Sequence, residues 1–181
     1  MYAAQPLGDS MTDEGTMERR RCVVFDWGDT LMRDIPGCTG PMAEWPRVET
    51  MPGAAEVLAA LHPSWTIALA TNAGRSDDTQ IRAALERGGI DRFIDQIYCA
   101  RRVGHRKPAP EFFEYIVAHC GCAREQIMVV GDNFDKDIAG ARAAGLHAVW
   151  VTDAADARDT DATRITHLRE LPGALRALGS S

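Results

Sequence analysis

Three apolar runs in this chain end on polar residues that are chemically versatile. CVVFD closes on Asp26, WTIALAT closes on Thr71, and the run Gln126–Val130 gives way to Gly131-Asp132. A carboxylate serves as a nucleophile, as a proton-transfer group or as a ligand of a hard cation, and a hydroxyl binds the oxygens of an anion. The basic residues add a second signal, because 18 of them are arginine and only Lys107 and Lys136 are lysine. In a chain that uses Arg almost everywhere, a lysine points to a site that needs a compact ammonium rather than a planar fork. Each residue alone also has an ordinary explanation. Asp26 suits a turn, Thr71 a strand, Lys107 a solvated loop, and Asp132 and Asp137 an Asx-turn and the first turn of a helix.

The elements that would position these residues follow from the hydrophobic pattern. Cys22–Asp26 and Trp65–Thr71 read as buried strands, a short strand falls within Phe93–Cys99, and Gln126–Val130 and Ala148–Thr152 follow. Helices are expected over Ala54–Leu61, from a Ser76 cap to Arg87, over Pro110–Cys120 and over Asp135–Ala144, with a weaker strand and a helix at Pro172–Leu178 after them. Strands alternating with helices across short connections predict an α/β fold, a three-layer, doubly wound, Rossmann-like parallel sheet. Such sheets bind ligands at the carboxyl ends of their strands, which would bring Asp26, Thr71 and Asp132 to one edge. Residues 1–20 are polar and aperiodic and read as a flexible tail, leaving 21–181 as a single domain.

The run Val23-Val24-Phe25-Asp26-Trp27-Gly28-Asp29-Thr30-Leu31 resembles the haloacid dehalogenase-like superfamily, whose mark is an apolar strand ending in D-x-D-x-T. Thr71-Asn72, Lys107-Pro108-Ala109-Pro110 and Gly131-Asp132-Asn133-Phe134-Asp135-Lys136-Asp137 extend the resemblance in the same order. It implies a magnesium-dependent phosphohydrolase that acts on a small phosphorylated metabolite through an aspartyl-phosphate at Asp26. It also implies Asp26, Asp132 and the backbone carbonyl of Gly28 as Mg2+ ligands, with Asp137 orienting them or the lysine. Thr71, Asn72 and Lys107 would hold the transferring oxygens, and Lys107 would stabilise their developing charge.

One position departs from the pattern. Phosphatases of this superfamily usually carry a second Asp two residues after the nucleophile, as acid for the leaving alcohol; here Gly28 stands there and Asp29 follows. Three readings are open: Asp29 reaches the leaving oxygen, the substrate has a good leaving group such as an acyl phosphate, or the core is catalytically weak and binds a phospho-ligand or a protein partner. Relatives that lack this Asp include dehalogenases and phosphonate hydrolases. Both need a sizeable cap, and the second also needs a cap lysine, whereas Lys107 and Lys136 lie in core motifs.

The two customary cap positions are short here. Residues 31–50, with several Gly and Pro, read as a flap, and one helix and one strand fill the interval from Thr71 to Lys107. This resembles the capless branch, whose sites are open to large substrates or closed by a neighbouring subunit of a homo-oligomer. Arg101, Arg102, His105 and Arg106 precede Lys107 and would flank the site mouth; Trp27 and Trp45 would face a substrate or pack under the flap. A net charge of −6 excludes a general nucleic-acid surface, and no apolar run approaches the ~20 residues of a membrane span. Five cysteines without a C-x-x-C pair read as reduced and structural, no zinc is expected, and a cytoplasmic location is the default.

Overall fold

The computed structural model describes residues 21–153 and 162–178, so the expected tail at 1–20 lies outside the described residues. Its strands are β1 (Cys22–Phe25), β2 (Thr66–Thr71), β3 (Gln96–Cys99), β4 (Ile127–Gly131), β5 (His147–Val151) and β6 (Thr163–Ile165). Its α-helices are α1 (Ala54–Leu61), α2 (Asp78–Arg87), α3 (Ala100–Val103), α4 (Pro110–His119), α5 (Gly140–Ala143) and α6 (Leu171–Leu178). All six strands run parallel in the order β3-β2-β1-β4-β5-β6. This is the expected doubly wound sheet.

Alternation along each strand explains the layers. Val23 and Phe25 of β1 enter one core, with Ile67 and Leu69 of β2, Val57 and Leu61 of α1, and residues of α2 and α6. Cys22 and Val24 enter the other, with Ala68 and Ala70, and with Phe112, Phe113 and Ile116 of α4. β1 therefore has no solvent face, which is why it reads as an unbroken apolar run. The chain leaves β1 toward β2 on one side and returns to β4 on the other, so the crevice of the fold opens above the carboxyl ends of β1 and β4. Asp26 N–H donates to Val130 O at 2.8 Å and carries that ladder to the strand tip.

Several details differ from expectation. Asp77, not Ser76, caps α2: its carboxylate accepts from Gln80 N at 2.9 Å, and the Gln80 side chain accepts from Asp77 N at 3.2 Å. The helix expected from Asp135 begins as a π-helical segment, Phe134–Ala139, before α5. A single helical turn, α3, that the hydrophobic pattern does not mark carries Arg101 and Arg102. Residues 31–50 fold back on themselves, with Arg33 N–H donating to Glu49 O at 2.8 Å and Met51 N–H to Leu31 O at 2.9 Å. The tip of this segment lies on α2, where the Arg87 guanidinium donates to Ala43 O at 2.6 Å and to Pro46 O at 3.3 Å. Among the described residues no separate cap domain stands over the sheet. All five cysteines are free, and no described helix is long and apolar enough to cross a membrane.

Candidate active site

β1, β2 and β4 end around a cavity of about 310 Å³. Asp26 follows β1, Thr71 closes β2, and Asp132 follows β4, so three consecutive positions in the sheet each deliver a polar group. Lys107 comes from the loop before α4, and Asp137 from the π-helical segment after β4. Gly28, Asp29 and Asn72 line the same cavity, so all the residues expected to carry catalysis, substrate or metal converge there, whereas Arg101, Arg102, His105 and Arg106 do not line it.

The ammonium of Lys107 is the hub. Its Nζ donates to Asp26 Oδ1 at 2.6 Å, to Asp137 Oδ1 at 2.7 Å and to the Ala70 carbonyl at 2.8 Å, which uses all three of its hydrogens. The lysine side chain is 2% exposed. Burial alone would push its pKa down, but the Asp26 and Asp137 carboxylates outweigh that and hold the ammonium above the ordinary lysine range. The side chain of Asn72 fixes the lysine's backbone: Nδ2 donates to Lys107 O at 2.9 Å and Oδ1 accepts from Lys107 N at 2.8 Å. Asn72 thus positions the hub with its amide. Thr71 Oγ1 accepts from Ala73 N at 3.1 Å, leaving its O–H to donate into the cavity.

One ammonium does not neutralise three carboxylates. Asp26, Asp132 and Asp137 each bring an oxygen within 4.8 Å of the others. Burial, then the neighbouring charges of Asp26 and Asp137, push the Asp132 carboxyl up to about 6. An all-oxygen donor set with excess negative charge fits a hard divalent cation such as Mg2+.

Thr30, part of the first motif but without a role evident from the sequence, belongs to the site. It is 1% exposed. Its hydroxyl reaches Asp26 Oδ2 at 3.3 Å and Asp132 Oδ1 at 3.4 Å, and accepts from Asp132 N at 3.1 Å. It ties the tips of β1 and β4 together. Trp150 holds Asp132 from behind, with Nε1 donating to the Asp132 carbonyl at 2.8 Å.

The mouth is built by the 31–50 segment. Trp27 is buried and donates to Met42 Sδ at 3.1 Å, whereas Trp45 is half-buried and lines the cavity, its indole N–H donating to Thr39 O at 3.2 Å. Asp29 adopts a left-handed φ of 52°, and its Oδ1 accepts from Asp34 N at 3.1 Å. Asp34 lies at the rim, and burial, with the charges of Asp29 and Asp26, raises its pKa. Of the basic run, Arg102 turns to Asp78 at 3.1 Å and Ile97 O at 3.2 Å, away from the cavity, while Arg106 lies beside Gly74 in the loop after β2.

Known proteins carry related chains. A family model described as haloacid dehalogenase-like hydrolase matches residues 42–145. Over 93 residues the chain is 36% identical to a phosphoserine phosphatase of Thermus thermophilus, covering 50% of this chain and 37% of that protein. Over 67 residues it is 39% identical to a glyceraldehyde 3-phosphate phosphatase of Methanothermobacter thermautotrophicus, covering 37% of this chain and 30% of that one. The matched stretch is thus about a third of the length of these curated relatives. An uncharacterized protein from Listeria monocytogenes superposes with a TM-score of 0.78 at 25% identity, over 89% of this chain and 99% of its own. The HAD-hydrolase YfnB of Bacillus subtilis, solved bound to magnesium, superposes with a TM-score of 0.69 at 18% identity, over 88% of this chain and 100% of its own.

Proposed function

Because the chain belongs to the haloacid dehalogenase-like hydrolase family, we propose that it is a Mg2+-dependent phosphohydrolase acting on a small phosphorylated metabolite, with Asp26 as nucleophile. The observation that carries this reading is the buried Lys107 ammonium within 2.6 Å of Asp26 and 2.7 Å of Asp137, beside the further carboxylate of Asp132.

The chain's own residues would divide the work as follows. Lys107 and Thr30 grip different oxygens of Asp26, Oδ1 and Oδ2, and so fix the plane of the attacking carboxylate. Thr71 O–H donates to an oxygen of the transferring phosphoryl group, and the Lys107 charge lies close enough to stabilise it as it develops. Attack by Asp26 on phosphorus releases the alcohol and leaves an aspartyl-phosphate; water then attacks phosphorus, freeing inorganic phosphate and restoring the carboxylate. A divalent cation held by Asp26, Asp132 and the Gly28 carbonyl, with Asp137 bound to the lysine behind them, would neutralise the repulsion between the carboxylate and the phosphate dianion.

Two rivals make different demands. A dehalogenase attacks carbon and has no use for three crowded carboxylates around one ammonium. A core that only binds a phospho-ligand or a protein partner is favoured by one observation, the missing side chain at Gly28. The deciding experiment measures phosphate release from a panel of phosphate monoesters and acyl phosphates, with and without Mg2+, for the parent chain and Asp26→Asn. Release that requires the ion and vanishes in Asp26→Asn is expected. Ligand binding with phosphate release at background for every compound would overturn the phosphohydrolase reading, as would halide release without added metal from a 2-haloacid assayed beside the panel.

A further inference from the structure

Expelling an alkoxide from phosphorus requires a proton, and a placed acid is worth about 10²–10⁴-fold in rate. Five carboxyls line the cavity. Asp26, Asp132 and Asp137 are gathered around Lys107 and Thr30, and Asp29 gives an oxygen to the backbone N–H of Asp34. Asp34 is the remaining one, and among the described residues its carboxyl group has no hydrogen bond or ion pair.

Its location is specific. A Cβ built on Gly28 would lie 2.7 Å from Asp34 Oδ2, and 3.0 Å from both Cγ and Oδ1. Gly28 is not among the residues with positive φ, so backbone freedom does not explain the glycine there. Space explains it, and the Asp34 carboxyl occupies that space. The turn that delivers Asp34 is held on both flanks: Asp29 N–H donates to Met32 O at 2.7 Å, Asp29 Oδ1 accepts from Asp34 N at 3.1 Å, and Arg33 N–H donates to Glu49 O at 2.8 Å. The carboxyl therefore enters the cavity two residues beyond the nucleophile, from a side chain eight positions along the chain.

We propose that Asp34 is the proton donor to the leaving oxygen, filling from the 31–50 segment the place that a side chain at position 28 would take. The assignment rests on the phosphohydrolase reading above. As Asp26 forms its bond to phosphorus, the bond from phosphorus to the leaving oxygen breaks and that oxygen takes the Asp34 proton. The Asp34 carboxylate then takes a proton from the water that attacks phosphorus, the bond from phosphorus to Asp26 breaks, and phosphate departs. The sum is ester plus water giving alcohol plus phosphate. Asp29 is a positioning residue for this step.

The test is a leaving-group series read as kcat/KM, which covers the steps up to departure of the leaving group. An alkyl phosphate, 4-nitrophenyl phosphate and acetyl phosphate are compared with Mg2+ present. Asp34→Asn is expected to lose about 10²–10⁴-fold on the alkyl ester and less than about tenfold on the two substrates whose leaving groups need little protonation. Gly28→Asp alone forces the Asp34 carboxyl aside. The double variant Gly28→Asp/Asp34→Gly, with one carboxyl in the shared space, is expected to recover alkyl-ester turnover that Asp34→Gly loses. An equal loss across the series in Asp34→Asn, no loss at all, or a double variant no better than Asp34→Gly overturns the role of Asp34 while leaving the phosphohydrolase reading intact. A parent chain inactive on all three substrates overturns both.

Discussion

Asp132 carries a charge that the ion-free fold tolerates poorly. In an unfolded chain its carboxyl would titrate at 3.8; in the fold it holds its proton up to about 6. Between these values the folded form binds the extra proton, so the contribution of this group to stability is greatest below about pH 4 and declines as pH rises to about 6. Partial exposure screens the effect to ~1 kcal/mol, or about 2–4 °C for a domain of this size. Asp132→Asn is accordingly expected to melt that much above the parent near pH 7.5 in chelator, with the gap closing near pH 4; thermal scans at both values check it. Lys107 behaves in the opposite sense. Lys107→Met leaves Asp26 and Asp137 buried without their ammonium and is expected to cost about 3–5 kcal/mol in urea unfolding. Asp26, Lys107 and Asp132 were legible in the sequence because a strand tip or an unusual lysine marks each. Thr30 and the proposed role of Asp34 were not, for a physical reason: Thr30 is tied to Asp132, 102 positions away, and the Asp34 carboxyl fills the space over Gly28, which only the fold brings to it.

At the level of elements, the tip of β4 and the π-helical segment meet at Gly131. A Cβ there would lie 2.5 Å from the Cβ, Cγ and Oδ2 of Asp137, so the strand can end beside that carboxylate only as glycine. Gly131→Ala is expected to push Asp137 off Lys107, lowering stability by about 1–3 kcal/mol and phosphate release with it; unfolding curves and turnover measured on one preparation check this. The strands and the four longer helices, α1, α2, α4 and α6, were readable from apolar runs and glycine or proline punctuation. The widened turn at Phe134–Ala139 was not, because a 3.6-residue period carries no mark of one extra residue per turn. The α2 cap is ambiguous in the sequence for a simpler reason: Ser76 and Asp77 are both good caps, and only Asp77 has Gln80 three residues on. Arg87, near the end of α2, ties down the 31–50 segment through two carbonyls. Arg87→Ala is expected to leave the melting point within about 3 °C of the parent while speeding limited proteolysis within residues 37–47; an intact segment under protease would count against it.

For the whole molecule, a divalent ion held by the excess of carboxylates would make folding and ion binding one equilibrium. Mg2+ at 100 times its dissociation constant is expected to stabilise the parent by about 2.7 kcal/mol, and Asp132→Asn is expected to lose most of that response; melts across a Mg2+ titration read it directly. The doubly wound sheet was foreseeable as a whole because alternation and short connections leave few other solutions. The path of residues 31–50 was not foreseeable, since it depends on contacts with α2 and lacks a period of its own. That path has a further consequence at its outer bend. Gly37 and Gly40 both take left-handed φ values, 83° and 79°, and a Cβ on either would meet nothing within 4 Å. Closing a longer loop there adds only about 0.6 kcal/mol for each doubling of its length. Insertions grafted at this bend would leave β1 and Asp26 undisturbed, so the breadth of compounds admitted could be retuned by engineering one hairpin, independently of the carboxylates and the lysine beneath it.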